Sequence, residues 1–450
     1  MAQDHQNSSK TSLLREMREN VDWKNEGKRL EFLENLFTLI ENWIDGLPNL
    51  RDIFQQDEIE LLLEDYINND YGVDQFELVD RFIEFVISTG YKDELKLDED
   101  RNPVLHRNTP VHSAGRKENP WLSFLFKIYD RFDVNYVDER GYTHFHAACQ
   151  YGCDYVVEKF LEFGQDPNII WQETGDSPLH LALKSDRKEM FEMLLKKGAD
   201  PTLSNAEGST PLHLISFLDV DVDYAKIIFE INNDIRARLV SARDKVGWTP
   251  LYVAMKNRCI DLMEWLLTKG ADPNAVNDNG ETPLHIISRY AKTDDLARMF
   301  FWSCDEKKKT LQLDAKDKRG WTPLHLAMRS GYLDLIELLL TKGADPNAVN
   351  VDGKTPLHVI CDQDDDKKAK LFFEICEERK QIVQLEAKGR YENFLVVSLY
   401  LRYVYIIPHR CSAKLVSRTS TGEANGFYLV VSRHTSSRSD RRTIFKGAAE

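Results

Sequence analysis

No stretch of this sequence approaches the roughly 18 consecutive apolar residues that a bilayer-crossing helix needs. Its opening, MAQDHQNSSK, has no apolar segment of the kind a secretory leader carries. The expectation is a protein inside the cell, in the cytoplasm or the nucleus, with no membrane partner. Cysteine is sparse: Cys149, Cys153, Cys259, Cys304, Cys361, Cys376 and Cys411 are seven in 450 residues, an odd number at irregular spacing. That argues against a disulfide framework and suits a reducing compartment. Compact catalytic signatures are missing too, with no G-x-S-x-G, H-E-x-x-H, phosphate-binding glycine loop or kinase motif set. No catalytic, cofactor-binding or metal-ligating residue is therefore assigned, and no cofactor or small-molecule substrate is expected.

Basic charge is scarce where a nucleic-acid-binding domain would need it. Residues 1–100 carry 25 Asp or Glu against 10 Lys or Arg, and the whole chain has a formal charge of −15. Only 387–450 reverses the sign, with 11 basic residues against 4 acidic. A face that neutralises phosphates must be basic, so the folded part is not read as a nucleic-acid partner.

What the chain does have is periodicity, and 42% hydrophobic residues to supply a core. A Thr or Ser opens a unit at Thr109, Thr143, Ser177, Thr210, Thr249, Thr282, Thr322 and Thr355, at spacings of 34, 34, 33, 39, 33, 40 and 33. From Ser177 onward short and long units alternate. The short unit TPLHLAMRSGYLDLIELLLTKGADPNAVNVDGK, 322–354, reads as helix, turn, helix and finger. Thr322 is a helix N-cap and Pro323 a first helical residue with no amide to leave unpaired. Gly331 breaks that helix. Leu335, Ile336, Leu338, Leu339 and Leu340 make a second helix that must be covered on most sides. Gly343 suits a left-handed C-cap, and Asp352-Gly353 a turn. One such unit cannot bury its own helices, so neighbours must stack.

These residues resemble the ankyrin repeat, through G-x-TPLHxA at 320–327 and LLL-x-KGADPN at 338–347. Seven recognisable units occupy 143 to about 386, and the array is similar to those of large insect families of such repeats. The resemblance implies an all-α solenoid: an ankyrin-repeat stack of helix pairs with β-hairpin fingers, binding an unidentified protein partner along the concave face of fingers and first helices. The domain reading is an acidic helical cap at 1–100, a degenerate first repeat at 101–142, the array at 143–388 and a basic tail at 389–450. Thr143, Ser177, Thr210, Thr249, Thr282, Thr322 and Thr355 are its structural caps.

Long units depart from the pattern. They lack KGADPN and carry a lengthened second helix with a strand-like run such as Leu311-Gln312-Leu313, and their acidic loops, 219–223 and 362–368, are expected to project. Two fingers downstream of those helices, RDKVGW at 243–248 and KDKRGW at 316–321, are basic and end in Trp, whereas NAEGS, NDNGE and NVDGK are plainer. Trp supplies a large apolar body and one donor, a combination enriched at binding hot spots. Arg243, Lys245, Trp248, Lys316, Lys318, Arg319 and Trp321 are thus the candidate partner surface. The competing reading has both Trp packing on the neighbouring finger.

Seven of the twelve histidines share one motif position: His112, His146, His180, His213, His285, His325 and His358, with Tyr252 standing there in the unit at 249. One per repeat, they cannot converge on a metal, and a structural bond to caps and fingers is expected. His146, Cys149 and Cys153 form a tighter cluster, read as core rather than half a metal site. Helices are expected at 30–44, 59–67 and 76–88. GLPNLRDIF, 46–54, faintly resembles the start of an F-box, so a substrate receptor of a ubiquitin ligase is the alternative function. In the tail the repeat pattern fails after Lys388. The Ser- and Arg-rich end reads as disordered, and the segment either as a polybasic element or, preferably, as an array cut short by an alternative exon or gene-model error.

Overall fold

Helices begin where Thr-Pro or Ser-Pro dipeptides stand, because the hydroxyl caps and the proline starts. The computed structural model describes residues 2–41, 43, 46–69, 76–218, 220–231, 235–290, 294–363, 365–383, 411–417, 426–433 and 442–448. The chain divides into two units, Met1–Asn233 and Asp234–Glu450.

The first unit opens with α1 (Ala2–Glu19), α2 (Glu26–Ile40), α3 (Gln56–Asn68) and α4 (Phe76–Ser88). Leu33, Leu36, Leu62, Leu63 and Ile83 are buried between them. Segment 46–54 holds only a 3₁₀ turn, Leu50–Asp52, capped by Asn49. Its Leu50, Ile53 and Phe54 are buried, Phe54 edge-on to Trp23 and Phe32, so the apolar side chains that suggest an F-box serve the core of the cap. Helix pairs follow: α5 (Pro110–Arg116) with α6 (Leu122–Leu125), α7 (His144–Tyr151) with α8 (Asp154–Glu162), α9 (Pro178–Lys184) with α10 (Lys188–Lys196), and α11 (Pro211–Leu218) with α12 (Asp223–Ile231). First helices pack in succession, α5 on α7 and α7 on α9, and α3 covers α5 from the other side.

The second unit continues with α13 (Arg236–Val240), then the pairs α14 (Pro250–Asn257) with α15 (Ile260–Thr268), α16 (Pro283–Tyr290) with α17 (Asp294–Glu306), α18 (Pro323–Ser330) with α19 (Leu333–Lys342), and α20 (Pro356–Cys361) with α21 (Asp366–Glu378). Two of the three long repeats lengthen their second helix: α17 and α21 have 13 residues where α15 has 9, whereas α12, in the long repeat that opens at Thr210, also has 9. Leu311-Gln312-Leu313 is not a strand. Among the described residues no strand pairs with it. Instead Asn274 clamps it, donating to Thr310 O at 2.7 Å and accepting from the Gln312 amide at 2.8 Å. Asn274 is the Asn of an Asp-Pro-Asn turn. Its counterpart Asn168 holds Gly198 O and the Asp200 amide in the same way in the first unit.

The acidic loops are tied down rather than projecting freely: Asp223 takes Lys188 at 3.0 Å, and Asp365 caps α21 through the amides of Lys367 and Lys368. In the 389–450 tail, where composition predicts disorder, the described residues form an antiparallel sheet in the order β1 (Cys411–Ser417), β2 (Gly426–Arg433), β3 (Arg442–Ala448). GFYLVVSR at 426–433 has the β-branched and aromatic content that favours strands, and the Ser-Arg signal masks it. The array remains all-α, and the strands belong to the tail.

Candidate partner-binding face

The recurring histidine is a variant of the capping box, in which imidazole replaces the usual N3 carboxylate or amide. At Thr322 the cap amide donates to His325 Nδ1 at 3.2 Å, the hydroxyl lies 2.8 Å from the same nitrogen, and Nε2 reaches Lys354 O in the next finger at 3.0 Å. Because Nδ1 accepts, Nε2 must carry the proton and donate. The same arrangement joins His112 to Tyr136 O, His146 to Ile169 O, His180 to Ser209 O and His285 to Trp321 O. Burial holds these rings neutral, pushing His112 down to about 3 and His146 and His325 to about 4. His146 thus has both nitrogens engaged. Its neighbours Cys149 and Cys153 are buried thiols, Cys153 pushed up to about 12 by burial. Among the described residues no group of three or more His, Cys, Asp or Glu side chains is placed to hold a metal.

Fingers are closed loops. In the second unit Asp244 N bonds Trp248 O, Asn277 N bonds Glu281 O, Asp317 N bonds Trp321 O and Asn350 N bonds Lys354 O. Adjacent fingers touch through one backbone hydrogen bond each: Asp278 N to Val246 O, Lys318 N to Asn279 O, Val351 N to Arg319 O. That approach requires Gly320, whose φ is +73° and where a Cβ would lie 2.8 Å from Val351 N.

Along this row the structure places the predicted residues side by side. Arg243 is exposed and pairs with Asp278 at 2.8 Å. Lys245, Lys318 and Arg319 are exposed at the tips, and Lys316 donates to Val349 O at 2.8 Å. Trp248 and Trp321 are half-buried. Each packs against a ring of its own repeat. Trp248 stacks on Tyr252 of its own repeat, centroids 5.0 Å apart at 25°, and Trp321 lies tilted 5.8 Å from His325. A cation from the end of the first helix then covers each indole: Lys256 Nζ lies 3.9 Å from the Trp248 centroid, and the Arg329 guanidinium 5.5 Å from that of Trp321.

Those two cations are absent from the sequence-based candidate set, yet a signal for them exists. In repeat after repeat the residue just before the cap meets the residue eight positions on. Tyr142 donates to Gln150 at 2.8 Å and Lys184 pairs with Asp176 at 2.5 Å in the first unit. In the second, Glu281 pairs with Arg289 and Lys354 with Asp362 at 3.0 Å. Complementary residues at this spacing are legible in the sequence once the finger is known to fold back on its own first helix.

Around Trp321 the face deepens into a cleft of about 670 Å³, lined by Glu281, Arg289, Lys318, Arg319, Arg329 and Tyr332 among others. Its acids are occupied: Glu281 takes Arg289, Tyr252 and Asn277, and Asp317 accepts the amides of Arg319 and Trp321. Among the described residues no carboxylate pairs with Lys256, Lys318, Arg319 or Arg329, so the spare charge of the face is positive. The chemistry available is recognition by indole faces, exposed cations and finger backbone.

Stacked helix pairs joined by hydrogen-bonded fingers define a class of repeat proteins whose arrays generally mediate protein–protein interaction. The model of the family "Ankyrin repeats (3 copies)" matches residues 111–205, 198–277, 226–312, 263–350 and 290–382, together more than half of the sequence. The chain belongs to the ankyrin-repeat family. It is 27% identical over 245 residues to the Drosophila melanogaster transient receptor potential cation channel subfamily A member 1, covering 45% of this chain and 20% of that protein. It is 26% identical over 249 residues to the Homo sapiens SH3 and multiple ankyrin repeat domains protein 2, covering 55% and 13%. The matched region thus spans a fifth or less of either relative. The crystal structure of the ankyrin repeat domain of Bcl-3 aligns at a TM-score of 0.43 with 26% identity, over 49% of this chain and 95% of that one. Among the described residues no helix is long and apolar enough to cross a membrane.

Proposed function

We propose that the chain is a non-catalytic scaffold, working inside the cell, that holds a partner protein against its fingers and first helices. The observation that carries this reading is the Trp321 cleft: a half-buried indole flanked by cations that no carboxylate among the described residues neutralises. Arg243, Lys245, Trp248, Lys316, Lys318, Arg319 and Trp321 form the proposed contact surface, and Lys256 and Arg329 join it. Free thiols at Cys149, Cys153, Cys259, Cys304, Cys361 and Cys376 fit a reducing compartment.

Charge reversal tests the surface better than truncating the tryptophans, whose rings also pack on Tyr252 and His325. The double variant Lys318→Glu, Arg319→Glu alters only exposed finger-tip side chains, so the thermal midpoint is expected to stay within about 1 °C of wild type, surface changes being worth about 0.5 kcal/mol or less. Partner capture is expected to drop at least about tenfold relative to wild type and to a control, Lys196→Glu, on second helix α10. Equal capture by all three proteins overturns the assignment.

A further inference from the structure

We infer that the occupant of this face is an extended, acidic segment of the partner with two acidic–apolar clusters about six residues apart. The inference rests on the partner-binding reading above. Two platforms of the same build, Trp248 beneath Lys256 and Trp321 beneath Arg329, stand two repeats apart in the second unit. In each an indole offers an apolar face and a cation lies over or beside it, so one apolar and one anionic side chain can bind together. Between them the Glu281–Arg289 pair neutralises itself and offers no strong charge of either sign. Packed helices lie about 8–10 Å apart. Two repeats therefore separate the platforms by about 16–20 Å, which an extended chain covers in about five or six residues at about 3.3–3.6 Å each. An extended segment also suits the fingers, whose tips sit edge to edge through single backbone hydrogen bonds.

Charge complementarity fixes the sign. Lys245, Lys256, Lys318, Arg319 and Arg329 lie along the row with no carboxylate partner among the described residues, whereas the acids nearest them, Asp244, Asp278, Glu281 and Asp317, are already bound to finger amides or arginines. A basic segment would meet these cations, with the exposed Asp352 of the next finger as the acid left to pair with.

The test uses the full chain and a fluorescein-labelled peptide carrying two Asp-Glu-Leu clusters about six residues apart, joined by Gly and Ser. Anisotropy is expected to show saturable binding that weakens with rising salt, as exposed ion pairs do. The same peptide with Asn and Gln in place of Asp and Glu should bind about tenfold more weakly. Lys256→Ala and Arg329→Ala are each expected to raise Kd about fivefold, near the upper end for exposed charge pairs. The inference is overturned by absence of saturable binding, by equal affinity for the amide peptide, by indifference to both substitutions, or by a single-stranded oligonucleotide that outcompetes the peptide. The salt titration needs no variant, so a folding defect cannot mask the answer. Partner capture that falls with Lys318→Glu, Arg319→Glu while the acidic probe fails would leave the surface in place and remove only its proposed occupant.

Discussion

His325 is held in one tautomer from both sides, and its role follows from that. The Thr322 amide needs an acceptor at Nδ1 and Lys354 O needs a donor at Nε2, so only the neutral ring with its proton on Nε2 satisfies both. His325→Ala leaves a buried cap and a finger carbonyl unpaired, an expected loss of about 2–4 kcal/mol in urea unfolding. His325→Gln can still accept from the cap amide and should lose about 1 kcal/mol. The pH dependence has a definite sign. Folding lowers these rings from the usual 6.5 to about 4 at His146 and His325 and about 3 at His112. Between those values the unfolded chain binds more protons, so stability is fully present above about pH 6.5 and is lost as pH falls through the window. Each such histidine contributes about 1.4 kcal/mol per pH unit there. Urea unfolding from pH 7 to pH 4.5 should show the decline, and His325→Gln should reduce its slope. The sequence pattern alone argues for this structural role, because one histidine per repeat cannot form a site. His144 was hidden: it stands where other repeats have Pro, and its Nε2 contacts Thr109 Oγ1 at 2.7 Å, a bond that only the stacked neighbour reveals.

Helices and fingers were legible to the extent that local chemistry defines them. Thr-Pro starts, glycine stops and Asp-Gly turns act within a few residues, and the second helix of the short repeat indeed ends at Gly343, with φ +103°. Long repeats lost that stop signal. In the second unit their second helices, α17 and α21, run on for about a turn, and Lys308 and Lys380 take the left-handed conformation at φ 54° and 56°. A side chain in that region costs about 1 kcal/mol relative to glycine. Lys308→Gly is therefore expected to stabilise the second unit by about 0.5–1 kcal/mol, the gain trimmed by the freer unfolded chain. A lower thermal midpoint would contradict this account. The Leu311-Gln312-Leu313 run misled because alternation implies a strand only where a partner strand exists. The Lys256 and Arg329 cations escaped for a related reason: their meaning depends on the finger returning to its own first helix.

The acidic N-terminal region joins the first repeat through the packing of α3 on α5 and through a largely buried guanidinium. Arg107 pairs with Glu60 of α3 and with Asp93, each at 2.6 Å, and lies 4.3 Å from the ring of Tyr136, whose hydroxyl donates to Asp93 at 2.7 Å. Burial raises Asp93 above the usual carboxylate range even with Arg107 present. Arg107→Ala would leave two carboxylates facing each other in a desolvated site. The expected loss is about 3–5 kcal/mol, the usual consequence of removing one partner of a buried ion pair. Repeat stacks transmit stability between neighbours, so the damage should be graded. Hydrogen exchange should show the largest loss of protection in α3 and α5, less in α7 and least in α10. Equal loss across all four helices would mean that Met1–Asn233 opens as one cooperative block, and unchanged α3 and α5 would mean that the apolar contacts between them, rather than Arg107, hold the cap in place.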